Sequence, residues 1–176
     1  MRDFGHFLDW IERDDVQAFA DAASMEADEL SCFWPRCADA EPYGRRVLHT
    51  SSRGEVMLAG WRAGACSAPH DHGRAEGVVV VLQGRFVERA YACGEPPLVV
   101  ASERELAAGD LIRVSPGIVH DMRSREAGLT LHLYAPGIEE MRVYDPVGRV
   151  TWRVSGTSGA WLPRVPEMIR ERIPWS

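Results

Sequence analysis

From Tyr43 onward the chain is a succession of short runs rich in β-branched, aromatic and other apolar residues: VLHT, EVMLAGW, VVVVL, FVERAYA, LVVAS, LIRV, LTLHLYA, MRVYD and VTWRV. Glycine-containing turns punctuate them at Arg53-Gly54, Gly84, Cys93-Gly94, Ala108-Gly109-Asp110, Ser115-Pro116-Gly117 and Ala127-Gly128. Runs this short fall below ordinary helix length, and about nine strands at this spacing predict an all-β sandwich or barrel. Residues 1–40 have another texture. Phe4, Phe7, Leu8, Ile11, Val16, Phe19 and Leu30 recur among acids at roughly helical intervals, with a break at Arg13-Asp15. The expected organisation is a helical segment over residues 1–42 packed on a β-structure over 43–176, at 176 residues one domain overall. The tail after Trp161, with Pro163, Pro166 and Pro174, reads as irregular.

Charge and composition narrow the function. A net charge of -6 with no basic stripe argues against nucleic acid as a partner. No apolar run approaches the roughly 18 residues a membrane span needs, and MRDFGHFLDWIERDD lacks the apolar core of a signal peptide, so a cytoplasmic protein with no membrane partner is expected. Cys32, Cys37, Cys66 and Cys93 form no CxxC pair; reduced thiols are expected, with a Cys32–Cys37 pairing as the alternative. Small molecules or protein partners remain, and a barrel of this size is expected to stand as a monomer.

Residues 68–84, APHDHGRAEGVVVVLQG, hold the chemistry-bearing pair. His70 and His72 alternate along an extended chain, so both side chains leave one face with Cα atoms about 6–7 Å apart, close enough to converge on one ion. Alone, the pair is equally a pair of surface or hydrogen-bonded core histidines. The surrounding spacing decides. Gly64, five residues, His70-Asp71-His72, four residues, Gly77, six residues and Gly84 resemble the first metal motif of the cupin superfamily, with glycine where its glutamate usually stands. GDLIRVSPGIVHDMRS, residues 109–124, resembles the second motif and ends its ligand set in His120, with Ser115 and Ser124 replacing the usual proline and asparagine. The resemblance implies a double-stranded β-helix barrel of the jelly-roll type with a metal at His70, His72 and His120. Glu76, one residue off the glutamate position, is the alternative fourth ligand; a slip by one residue turns it to the opposite face of its strand.

HDHGRAEGVVVVLQGRFVERAY further resembles the metal segment of thiol dioxygenases, the family of cysteine dioxygenase. In LTLHLYA, Leu129, Leu131 and Leu133 alternate with Thr130, His132 and Tyr134. By itself this is an amphipathic strand with a solvated polar face. GLTLHLYAPGIEEMRVYD is, however, similar to the family's Ser/Thr-x-His-x-Tyr segment followed by proline, which implies a relay of Thr130, His132 and Tyr134 beside the metal. YGRRVLHT resembles its Tyr-x-Arg stretch, implying that Tyr43 and Arg45 bind substrate, Arg45 by forking onto a carboxylate; by itself Arg45 is a plain surface arginine beside Arg46. Gly77 stands where animal members carry a cysteine crosslinked to the tyrosine, as bacterial members commonly have it, so no crosslink is expected. Met141 replaces a cysteine of the animal members.

The family implies Fe(II), dioxygen and a small thiol, with L-cysteine oxidised to cysteine sulfinic acid. Three neutral imidazoles leave the ion its full charge and open positions, and ligand type alone leaves iron, zinc, copper and nickel open. Relatives acting on 3-mercaptopropionate use an arginine from a later strand, a position that falls here at Trp152, next to Arg153; that substrate is the alternative. A metal-dependent cupin isomerase or lyase, or a cupin that binds ligand without turnover, are the readings from other classes.

Overall fold

The computed structural model describes residues 4–13, 15–39, 41–92 and 96–176. The Cys93-Gly94 turn, Asp14 at the helix break and the side chain of Ile11 lie outside the described residues. A 3-10 turn, Gly5–Phe7, leads into α1 (Leu8–Glu12), α2 (Val16–Met25) and α3 (Ala27–Ser31). The carboxylate of Asp15 caps α2 by accepting the Ala18 N–H at 3.1 Å. Val16, Phe19, Ala20 and Ala23 then recur along one buried face of that helix.

Eleven strands follow among the described residues: β1 (Tyr43–Ser51), β2 (Gly54–Trp61), β3 (Glu76–Gln83), β4 (Phe86–Ala92), β5 (Val99–Leu106), β6 (Leu111–Val114), β7 (Val119–Ser124), β8 (Gly128–Ala135), β9 (Glu140–Asp145), β10 (Val150–Ser155) and β11 (Ile169–Pro174). Two exceed the sequence expectation. β7 is short and mixed in polarity, and the tail is not irregular throughout: β11 pairs antiparallel with β10 from Val150↔Pro174 to Val154↔Ile169. β11 is an edge strand, which is where a terminal proline is tolerated.

The strands make two layers. One is a five-stranded sheet in the order β1-β2-β8-β3-β6; opposite it lie β11-β10-β9 and β5-β4-β7. The last two are stitched together by the chain entering the HDH stretch, where His70 bridges both His120 of β7 and Val143 of β9. This is the expected jelly-roll architecture, as two facing layers; strand pairing does not close them into a continuous barrel.

Period-2 alternation assigns each sheet face. The outward side of the five-stranded sheet carries Val56, Leu58, Val78, Val80, Leu129, Leu131 and Leu133, and against it pack Phe4, Phe7, Leu8, Phe19 and Leu30 of the N-terminal helices. The inward side carries Met57, Ala59, Trp61, Val79 and Tyr134, facing Phe86 and Met122 of the other layer. The helices thus relieve β2, β3 and β8 of one apolar face, and the other is left to build the pocket. Among the described residues, no helix is long and apolar enough to cross a membrane. Cys32, Cys37 and Cys66 are free thiols.

Leu131 is fully buried on the helix side, opposite Leu58 and Val80. Leu131→Ala is expected to lower the unfolding free energy by about 2–5 kcal/mol in urea titration, with metal affinity little changed because the pocket lies on the other face.

Candidate functional site

Three histidines meet between the layers. His70 and His120 face each other across a bridge in which His70 N donates to His120 O at 2.9 Å and His120 N donates to His70 O at 3.0 Å. His72 is two residues on, and the three rings lie 4.8–5.1 Å apart between centroids. All three are buried, with one ligand atom from each within 4.8 Å of the others. Neighbouring groups fix which nitrogen faces inward. His70 Nδ1 hydrogen-bonds the Ala68 carbonyl at 2.9 Å, and His120 Nδ1 hydrogen-bonds Glu88 Oε1 at 2.8 Å. His120 Nε2 is left buried with no hydrogen-bond partner. A buried polar atom without a partner is unfavourable unless something else satisfies it.

Burial, with His120 adding to it, lowers the His70 pKa to about 3, and burial holds His72 well below its ordinary value. Neutral imidazoles with inward lone pairs are what a divalent transition metal requires of its ligands. The residues present therefore fit a metal. The cluster contains no carboxylate: Glu76 begins β3, is exposed and is not among the converging side chains. Gly77 admits no side chain at all, since an added Cβ would lie 2.0 Å from Leu133 O and 2.9 Å from Tyr134 Cδ1.

The backbone carrying the ligands is clamped from behind. Asp71, between the two histidines, points away from the cluster and accepts Arg142 N at 2.8 Å, Arg142 Nε at 2.6 Å and Gly73 N at 3.2 Å. Gly73 sits at φ +61, where a Cβ would lie 2.4 Å from Glu140 O, so only glycine turns the chain here into β3. Glu88, 7% exposed, receives Arg104 Nε at 2.6 Å on its second oxygen. An arginine, a carboxylate and an imidazole thus line up toward His120 Nε2, the arrangement that orients metal-binding histidines.

On the five-stranded sheet, the register lays out the opposite wall in rows. β8 contributes Thr130, His132 and Tyr134, flanked on β2 by Ala59, Met57 and Glu55 and on β3 by Val81, Val79 and Gly77. Tyr134 lies over Gly77 and 5.2 Å from His72 between ring centroids. Trp61 Nε1 donates to Thr130 Oγ1 at 3.0 Å. Thr130 Oγ1 is 2.7 Å from His132 Nε2 and 3.5 Å from the Ala59 carbonyl. His132 Nδ1 and Tyr134 Oη share a hydrogen bond at 2.8 Å, which completes a relay from Trp61 to the phenol. Burial, with Arg45 adding to it, lowers the His132 pKa to about 3, and burial pushes the Tyr134 phenol up, so both stay neutral.

Arg45 lines the same pocket, the one arginine among the described residues to do so, with Nε 3.0 Å from Met57 Sδ and a terminal nitrogen 3.7 Å from Glu55 Oε1. Tyr43 lines it too; its hydroxyl accepts Ala160 N–H at 2.9 Å and retains a hydrogen to donate. Trp61, Val79, Met122, Ile138 and Met141 supply apolar wall. Arg153 is turned to the surface between Glu140 and Glu171, and Trp152 is not part of the lining. Seven of the eight residues singled out from sequence line one pocket; Thr130 stands behind His132. Trp61, Glu55, Glu88 and Asp71 were not singled out. For the first two the signal was available: in EVMLAGW, Glu55, Met57, Ala59 and Trp61 share one face. Ala135-Pro136, which follows Tyr134, is cis.

The sequence pattern of cysteine dioxygenase type I matches residues 6–147. The human cysteine dioxygenase type 1 is 26% identical over 147 residues, covering 78% of this chain and 72% of that one. Among solved structures, TT1209 from Thermus thermophilus is similar in fold at a TM-score of 0.50 and 22% identity, over 61% of this chain and 94% of that one. A Klebsiella pneumoniae protein with a double-stranded β-helix domain has a TM-score of 0.49 and 23% identity, over 68% and 94%.

Glu88→Gln is expected to weaken metal binding by about 10–100-fold in chelator competition while leaving the fold intact. The metal-free protein is expected to lose stability as pH falls. His70 and His132 have pKa values near 3 when folded against about 6.5 in the free chain, so between those values the unfolded chain binds protons that the folded one does not. Urea unfolding at descending pH should show the free energy dropping from about pH 6.5 downward.

Proposed function

The chain belongs to the cysteine dioxygenase type I family, and on that premise we propose that it oxidises a small carboxylated thiol, L-cysteine, to the sulfinic acid with dioxygen, using Fe(II) held by His70, His72 and His120. The observation that carries this reading is the meeting of three neutral imidazoles, a neutral phenol and the Arg45 guanidinium in one pocket with largely apolar walls. The three imidazoles add no negative charge of their own, which leaves an anionic thiolate and carboxylate welcome. Iron, when bound, supplies the centre at which thiolate and dioxygen react. Both oxygen atoms end on sulfur, and sulfur loses the electrons that dioxygen gains, so no outside reductant enters.

The chain's own residues orient and exclude. Arg45 offers a planar fork to the substrate carboxylate, and Tyr43 donates its hydroxyl hydrogen to the same end. Tyr134, positioned by its hydrogen bond to His132, presents its hydroxyl to the space beside His72. Trp61 anchors that chain of hydrogen bonds at its far end. Met57, Val79, Met122, Ile138 and Met141 keep water out, which strengthens each polar contact within. L-cysteine is preferred over 3-mercaptopropionate because Arg45 faces the pocket while Arg153 is engaged at the surface.

The test adds L-cysteine and 3-mercaptopropionate separately to anaerobically iron-loaded protein, then follows oxygen consumption and sulfinate after air is admitted. Uptake that is more efficient with L-cysteine is expected; no uptake with either thiol sinks the reading, and preference for 3-mercaptopropionate reassigns the substrate. Arg45→Ala is expected to raise KM for the carboxylated thiol about 10–100-fold, and an unchanged KM removes Arg45 from substrate binding.

A further inference from the structure

Glu55 is an acid on the inward face of β2, in the row that β8 continues with Tyr134 and β3 with Gly77. Its side chain is 18% exposed, and that of Arg45 is 16% exposed. Their separation of 3.7 Å makes an ion pair but is too long for a hydrogen bond. On the Nε side, Arg45 meets only the sulfur of Met57, a weak acceptor. The guanidinium is therefore held in place without its donors being satisfied, and it retains N–H groups for a second carboxylate. Burial raises the Glu55 pKa and Arg45 lowers it, so the two groups feel each other in a region where water screens them poorly.

We propose that Glu55 sets how strongly the pocket favours a carboxylated thiol over a carboxylate-free one, by sharing Arg45 with the substrate's carboxylate. The inference rests on the assignment of Arg45 to substrate binding. With no substrate, Glu55 partly neutralises a poorly hydrated guanidinium and keeps it aimed into the pocket. When a carboxylate arrives, Glu55 becomes a like charge close to it and weakens its attachment. A thiol without a carboxylate meets neither effect. Glutamine keeps the shape and an acceptor oxygen for holding Arg45 while removing the repulsion, so Glu55→Gln separates the two roles.

The experiment is an anaerobic calorimetric titration of the iron-loaded full chain, wild type and Glu55→Gln, with 3-mercaptopropionate and with 2-mercaptoethanol. Glu55→Gln is expected to bind 3-mercaptopropionate about fivefold tighter, with 2-mercaptoethanol unchanged. Glu55→Asp, which retains the charge, is expected to keep the wild-type ratio of the two affinities, and Glu55→Asn replaces the glutamine variant if that one does not fold. An unmoved ratio, or an equal shift for both thiols as a purely structural role would give, overturns the proposal. Oxygen uptake is recorded separately: a wild type that binds both thiols yet consumes no oxygen overturns the dioxygenase reading and leaves the affinity ratio to decide on Glu55.

Discussion

The amide and carbonyl of His70 pair with the carbonyl and amide of His120, while the neighbouring Pro69 carbonyl accepts Tyr144 N at 2.8 Å and Asp71 N donates to Arg142 O at 3.0 Å. One short extended stretch thereby bridges β7 and β9, and it joins two three-stranded sheets into one wall. The same bonds put two of the three imidazoles directly opposite each other. Fold and site are consequently not separable here: the backbone pairing that completes the layer is the pairing that sets the distance between His70 and His120. Any loosening of it moves both.

The ligand strands are secured by acids on their reverse side. Alternation sends His70 and His72 inward and Asp71 outward; it sends His120 inward and Asp121 outward. Asp71 takes the Arg142 side chain, and Asp121 takes a two-pronged Arg89 at 3.0 and 2.8 Å together with the Tyr91 hydroxyl. Both acids are essentially without solvent, and a buried acid with these partners is strongly directional because breaking it leaves a charge uncompensated. Each ligand strand is thus fixed against rotation about its own axis. Glu88 adds a third acid, this time reaching the imidazole itself.

Local pattern carried much of this into the sequence. The glycine spacing around HDH, the alternation in LTLHLYA and the two-residue step from Tyr43 to Arg45 are features of single strands, and such features survive as periodicity. β11 did not, because its pairing partner is a strand fifteen or more residues away by chain and its own exposure leaves it polar. Glu88 and Asp71 were hidden for a related reason: a charged residue in a strand is ordinarily a solvated one, and only the partners on adjoining strands, Arg104 and His120 for Glu88 and Arg142 for Asp71, show that these are enclosed. Glu55 shows the same limit from the pocket side. Its face was readable, but its nearness to Arg45 depends on the register of β1 against β2, which pairs Arg45 with Ala59.

The crowding at Gly77 bears on how such a pocket can change over generations. The obstacle to a side chain there is a carbonyl oxygen of the adjoining strand, which cannot swing aside as a flexible side chain would. Substitution at this position alone is therefore a deleterious step, and a lineage can pass through it only after β3 and β8 have shifted by a separate change. The glycine works as a ratchet: this position can move only in the company of another.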